Sequence, residues 1–100
     1  MAVTTPEPVR TSLISKTPRI HMRNAFSLSQ IGERHRALVI ITNPRTERMA
    51  NVDDVIALML LEIKLDDKVE VSVYVDEGSE DDDHRINKIL EEIKDVFLTP

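Results

Sequence analysis

The sequence predicts an α+β fold of seven elements in the order strand, helix, strand, strand, helix, strand, helix. They form a two-layer open-faced sandwich, a four-stranded antiparallel sheet with three helices on one face. Three observations predict it. Val69, Val71, Val73 and Val75 alternate with Glu70, Ser72 and Tyr74, the period-two pattern of a strand with one face in a core. Ala25, Leu28 and Ile31, and again Ile86, Ile89, Leu90, Ile93, Val96 and Phe97, recur at helical spacing. The connecting segments are short, so helices and one small sheet bury their apolar faces by stacking as two layers, which leaves the second sheet face open.

Residues 1–9, with two prolines and few large apolar groups, read as a flexible tail before a single domain spanning 10–100. Arg10 to Lys16 is a short strand around Leu13 and Ile14, ended by Thr17-Pro18-Arg19 because Pro18 biases its predecessor to extended geometry. A helix follows His21 and runs from Arg23 to about Arg36. Gly32 in its interior costs about 1 kcal/mol relative to alanine, so the helix is weakened there or its backbone lies close against a neighbour. Ala37 to Thr42 is a continuous β-branched strand closed by Asn43-Pro44-Arg45, and Thr46 to Ala50 completes a hairpin.

Asn51 caps the second helix, with Asp53 and Asp54 complementing the dipole of its first turn. The helix extends to about Ile63, and its apolar residues run nearly all the way round, more than one buried face requires. Some of them should reach the surface and mark a partner site. Leu65 to Lys68 is a turn into the alternating valine strand. Ser79 with Asp82 reads as a capping box, and Glu80 to Asp83 as a dipole-matched first turn of the last helix.

Composition removes several function classes. The chain has 100 residues, 41% of them apolar, which suffices for one core. With no cysteine there is no disulfide framework or thiol chemistry. The longest apolar run, Val55 to Leu61, is too short to span a bilayer and no signal-peptide pattern is present, so the expectation is a cytoplasmic protein without membrane insertion. A net charge of −5, two phenylalanines and one tyrosine disfavour nucleic-acid binding. No metal spacing links the three histidines, and the sequence lacks a Gly-rich phosphate loop, so neither metal nor cofactor is expected. His35 and His84 read as surface residues rather than ligands.

One cluster points to chemistry. His21-Met22-Arg23-Asn24-Ala25 stands where a loop opens into an amphipathic helix. First-turn N–H groups and the helix dipole favour an anion, and an arginine fork holds two oxygens of a phosphoryl group.

With its element order, this cluster resembles the HPr family, the histidine-containing phosphocarriers of the bacterial phosphoenolpyruvate-dependent sugar phosphotransferase system. The resemblance covers about residues 10 to 98. Family members carry Gly-Ile/Leu-His-x-Arg-Pro-Ala, and this chain has Arg19-Ile20-His21-Met22-Arg23-Asn24-Ala25. The resemblance implies that His21 accepts a phosphoryl group from enzyme I and passes it to a sugar-specific enzyme IIA or a regulatory target. Arg23 and the first-turn amides would stabilise the phosphoryl oxygens. Such a protein is a stoichiometric carrier rather than a turnover enzyme.

Three positions depart from the family. Arg19 replaces a glycine, which becomes costly if the backbone there needs positive φ. Asn24 replaces the proline that presets the first helical turn. Asp54 aligns with a serine that a dedicated kinase phosphorylates in many bacteria. It cannot be phosphorylated in that reaction and carries about −1, against roughly −1.5 to −2 for phosphoserine, so it partially imitates the modified form. The family's docking surface maps to Phe26, Ser29, Val55, Ile56 and Met59. The competing reading is a non-catalytic interaction domain of the same fold with a vestigial His21. Leu38 and Ile40, which project onto the open sheet face, favour a covering segment or self-association there.

Overall fold

The strand formed by Lys68–Tyr74 is paired on both sides within the sheet, and its regular alternation gives it one buried face. Val69, Val71 and Val73 are buried while Lys68 and Glu70 face solvent. The computed structural model describes residues 8–74 and 82–99, without the side chains of 82 and 83. The elements are β1 (Val9–Ile14), α1 (Met22–His35), β2 (Leu38–Asn43), β3 (Arg48–Asn51), α2 (Val55–Met59), β4 (Lys68–Tyr74) and α3 (Asp82–Leu98). The strand order is β1-β4-β2-β3 and each neighbouring pair is antiparallel. Strand β1 begins at Val9, one residue inside the expected tail. Val75, Ser79 and Glu80, and with them the expected capping box, lie outside the described residues.

The helices cover one face. Leu28 and Ile31 of α1, Leu58 of α2, and Ile89, Ile93 and Phe97 of α3 pack with Val39, Ile41 and the β4 valines in a single core. Each such side chain contributes about 1.5–3 kcal/mol when fully buried. Gly32 is required by a close approach: a Cβ there would lie 2.7 Å from Val52 Cγ2, in the link between β3 and α2. The opposite sheet face stays open and is chemically mixed. Leu38, Ile40 and Met49 share it with Arg10, Lys68 and Glu70.

The second helix corrects two expectations. It spans five residues rather than running to Ile63, and its cap is Asp54 rather than Asn51. Asn51 belongs to β3, opposite Ile40, and its side chain accepts from Asp53 N–H at 2.9 Å in a turn that precedes the helix. Asp54 Oδ1 then accepts from Ala57 N–H at 3.0 Å. Past its last residue, side chains of the β2–β3 hairpin take the next three carbonyls. Arg48 donates to Leu60 O (3.0 Å), Asn43 Nδ2 to Leu61 O (2.8 Å) and Arg45 to Glu62 O (2.7 Å). Glu62 then turns away with φ 56°.

Arg45 also forks onto Asp67, with Nε 3.1 Å from both carboxylate oxygens and a second nitrogen 3.0 Å from Oδ2. This hydrogen bonding holds the Asp67 carboxyl below the usual range, against a burial effect of opposite sign, with the Lys64 N–H adding to the lowering. It correspondingly raises the Arg45 guanidinium.

Two further readings change. Strand β1 ends at Ile14 instead of Lys16, because the chain leaves β4 for the end of α3, where Lys16 N–H donates to Phe97 O at 2.8 Å. Nor is His35 a surface residue. Its side chain is 13% exposed, with Nε2 2.6 Å from Glu92 Oε2 on α3, and Arg85 donates to its carbonyl. His84 is exposed as expected.

Candidate functional site

His21 is the residue at which an extended segment becomes α1. Its own backbone is extended (φ −84°, ψ 167°), and its carbonyl accepts the first helical hydrogen bond from Ala25 N–H at 3.0 Å. The imidazole is exposed. His21 and Asn24 face each other in the reciprocal arrangement of a capping box, in which the Asn24 half meets hydrogen-bond geometry: Asn24 Oδ1 accepts from His21 N–H at 3.0 Å. Asn24 therefore fixes the helix start by a hydrogen bond, where a proline would do so by its ring. The N–H groups of Met22 and Arg23 have no intrahelical acceptor, so they remain available to an anion beside the imidazole. Arg23 is exposed, and among the described residues its guanidinium is in no ion pair.

The segment leading to His21 holds its shape without backbone strain. Arg19 is not among the residues with positive φ, so the feared cost of replacing glycine is not incurred. It pairs instead with Lys64 in an antiparallel bridge. This bridge brings the chain after α2 alongside the histidine segment. Between them lies an open groove of ≈ 740 Å³, lined on one side by Pro18, His21 and Met22 and on the other by Met59, Glu62 and Leu65.

Of the residues expected to receive a partner, Ile56 (68% exposed) and Phe26 (54%) project freely, and Met59 lines the groove. Val55 is half-buried and packs on the core. Ser29 lies in a separate shallow depression with Gly32 and Asp53, away from the histidine groove. Met22 (57%), Leu60 and Leu65 are exposed apolar residues that the sequence reading did not single out. Met22 stands one helical turn before Phe26, so i, i+4 spacing could have found it. Met22, Met59 and Leu65 line the groove beside the imidazole, whereas Leu60 lies in a separate depression with Arg48 and Met49. Exposed apolar surface of this kind buries against another protein. Among the described residues, no group of His, Asp and Glu could hold a metal ion. Nor is any helix among them long and apolar enough to cross a membrane.

An exposed histidine ahead of the first helix of a β-α-β-β-α-β-α open sandwich places the molecule with the small histidine phosphocarriers. Residues 10–97 match the PTS-HPr family, described as the PTS HPr component phosphorylation site, and the chain belongs to that family. Similar solved structures include HPr-C-His from Thermoanaerobacter tengcongensis, with TM-score 0.67 and 17% sequence identity over 89% of this chain and 94% of that one. The phosphocarrier protein HPr from Bacillus anthracis gives 0.63 and 19% over 85% and 95%. The histidine-containing phosphocarrier protein of a Mycoplasma gives 0.66 and 19% over 92% and 100%. At these identities the structural likeness is one of fold. Comparison with curated proteins finds no match. Family membership supports a phosphocarrier role in the phosphotransferase system, and with it interaction with that system's enzymes.

Proposed function

We propose that this protein accepts a phosphoryl group on His21 from enzyme I in the cytoplasm and delivers it to a sugar-specific enzyme IIA or to a regulatory target. The observation that carries this reading is the start of α1, where an exposed imidazole stands beside first-turn N–H groups that no intrahelical acceptor uses. In the transfer, a lone-pair nitrogen of the neutral imidazole forms a bond to phosphorus. The bond from phosphorus to the donor breaks and its electron pair stays on the donor. Delivery to the acceptor is the same step reversed in sense. The chain's contribution is positioning and charge stabilisation, with Arg23 and the Met22 and Arg23 N–H groups receiving the phosphoryl oxygens.

Docking is assigned to Phe26, Ile56 and Met59, with Val55 and Ser29 as the further positions that the family resemblance implies. Asp54, at the family's regulatory serine position, is assigned a fixed negative charge that partially imitates the phosphorylated serine.

Incubation with phosphoenolpyruvate and enzyme I tests the central claim. The expected product is an acid-labile, base-stable adduct that is absent from His21→Ala. An adduct that survives this substitution overturns the assignment to His21. A wild-type protein that gains none favours the vestigial-histidine interaction domain.

A further inference from the structure

The residue two before the histidine shares its side of the chain. Ile20, between Arg19 and His21, is 5% exposed and turned into the core, and His21 itself is extended. Side chains alternate along extended backbone, so Arg19 and His21 project together, away from Ile20. Arg19 is also bridged to Lys64 in antiparallel fashion, and directly opposite residues of such a pair project to one side. Arg19, His21 and Lys64 all belong to the two segments that line the groove.

Placing two cations directly opposite each other disfavours the fold. Among the described residues neither Arg19 nor Lys64 is in an ion pair, and Asp67, on which Lys64 acts from beyond ion-pair distance, is already held by Arg45. Among the described residues Glu62 is the one acid lining the groove, against Arg19 and Lys64, so positive charge is in excess there. Arg23 is an exposed cation in the first turn of the adjoining helix. An anion seated on the imidazole would offset that repulsion.

We propose that Arg19 is a second phosphoryl-binding residue: its guanidinium holds oxygens of phosphorylated His21 from the strand side while Arg23 holds them from the helix side, with Lys64 as a supporting point charge. This rests on the phosphocarrier reading of His21. It gives the carrier a two-sided clamp at a position where the family's glycine offers no side chain.

The clamp is testable without any partner protein. Potassium phosphoramidate phosphorylates the imidazole directly: nitrogen bonds to phosphorus, the phosphorus–nitrogen bond of the reagent breaks, and ammonia leaves with a proton. Comparison with His21→Ala identifies the His21 signal in the phosphorus NMR spectrum against those of His35 and His84. A flanking cation favours the dianionic phosphoryl group, so Arg19→Ala should raise the pH midpoint of its second ionisation, with Arg19→Lys between the two. Transfer from enzyme I should slow about three- to tenfold. An unchanged midpoint in Arg19→Ala, with a raised one in Arg23→Ala, overturns the proposal and leaves Arg19 a contact for carboxylates of the partner. Failure of enzyme I to phosphorylate the wild type defeats the phosphocarrier reading instead, while the chemical titration still decides the Arg19 contact. No His21 signal after phosphoramidate overturns both.

Discussion

At the start of α1 the capping position is an imidazole, exposed and without a hydrogen bond of standard geometry; at the start of α2 it is a carboxylate that has already taken Ala57 N–H at 3.0 Å. The other donors are matched. The N–H of the capping residue is bound at both starts, His21 to Asn24 Oδ1 and Asp54 to Asn51 O. The first two helical N–H groups, of Met22 and Arg23 in α1 and of Val55 and Ile56 in α2, have no intrahelical acceptor at either. The far end of α2 is also closed, by Arg48, Asn43 and Arg45. The two starts therefore differ in the capping group: at α2 it is spent on the Ala57 N–H, and at α1 it is exposed and open to receive something. Local stability and availability to a ligand are thus alternative uses of the capping position.

Exchanging the cap types should break the contrast most completely. His21→Asp replaces the nucleophile with a strong N-cap, so phosphoryl acceptance should fall to zero while stability rises by about 0.5–1 kcal/mol. The paired measurements are the acid-labile adduct and a urea melt. A variant that loses stability as well would show that the imidazole itself supports the helix start, and the two starts would then be less different than they look.

A smaller effect separates the two properties of Asp54. Asp54→Ala removes both cap and charge and should cost about 1 kcal/mol. Asp54→Asn keeps a good cap and removes only the charge, so its stability should stay near wild type. If the charge imitates a phosphorylated serine, Asp54→Asn should also accept phosphate from enzyme I a few-fold faster. An unchanged rate reduces Asp54 to a capping residue.

The sequence disclosed these features unevenly, for physical reasons. Strand β4 and helices α1 and α3 were legible to within a residue or two wherever described, because alternation and helical spacing are properties of the segment itself. The His-x-Arg pair at a helix start made His21 and Arg23 candidates, and the family resemblance implied their roles. The extent of α2 was not legible, since the chain beyond it is held by Asn43, Arg45 and Arg48 from a different hairpin. His35 was misread for the same reason, its partner Glu92 lying 57 residues away. The side on which Arg19 projects depends on burial of Ile20 and on the bridge to Lys64, both tertiary facts. Local pattern therefore pointed to the candidate residues, and long-range contacts decided which groups stand around them.

The closed end of α2 supplies the smallest and most specific test. Asp67 is held below its ordinary value near 3.8 chiefly by its hydrogen bonds from Arg45. A carboxyl lowered in the folded state contributes stability that is fully present above its unfolded pKa and is lost as pH falls through the folded one. Stability should therefore be flat with respect to this pair at neutral pH and should decline below about pH 4. Other carboxyls titrate in the same window, so the informative quantity is the difference between wild type and Arg45→Ala in urea melts across pH. That difference should be modest at pH 7, because the guanidinium is 45% exposed and solvent and salt screen the pair. It should shrink on acidification as Asp67 takes up its proton. It should not vanish, because Arg45 also holds Glu62 O, an acceptor that does not titrate. A gap independent of pH would mean that the carbonyl contact alone closes this end of α2, and that the fork onto Asp67 adds nothing to it.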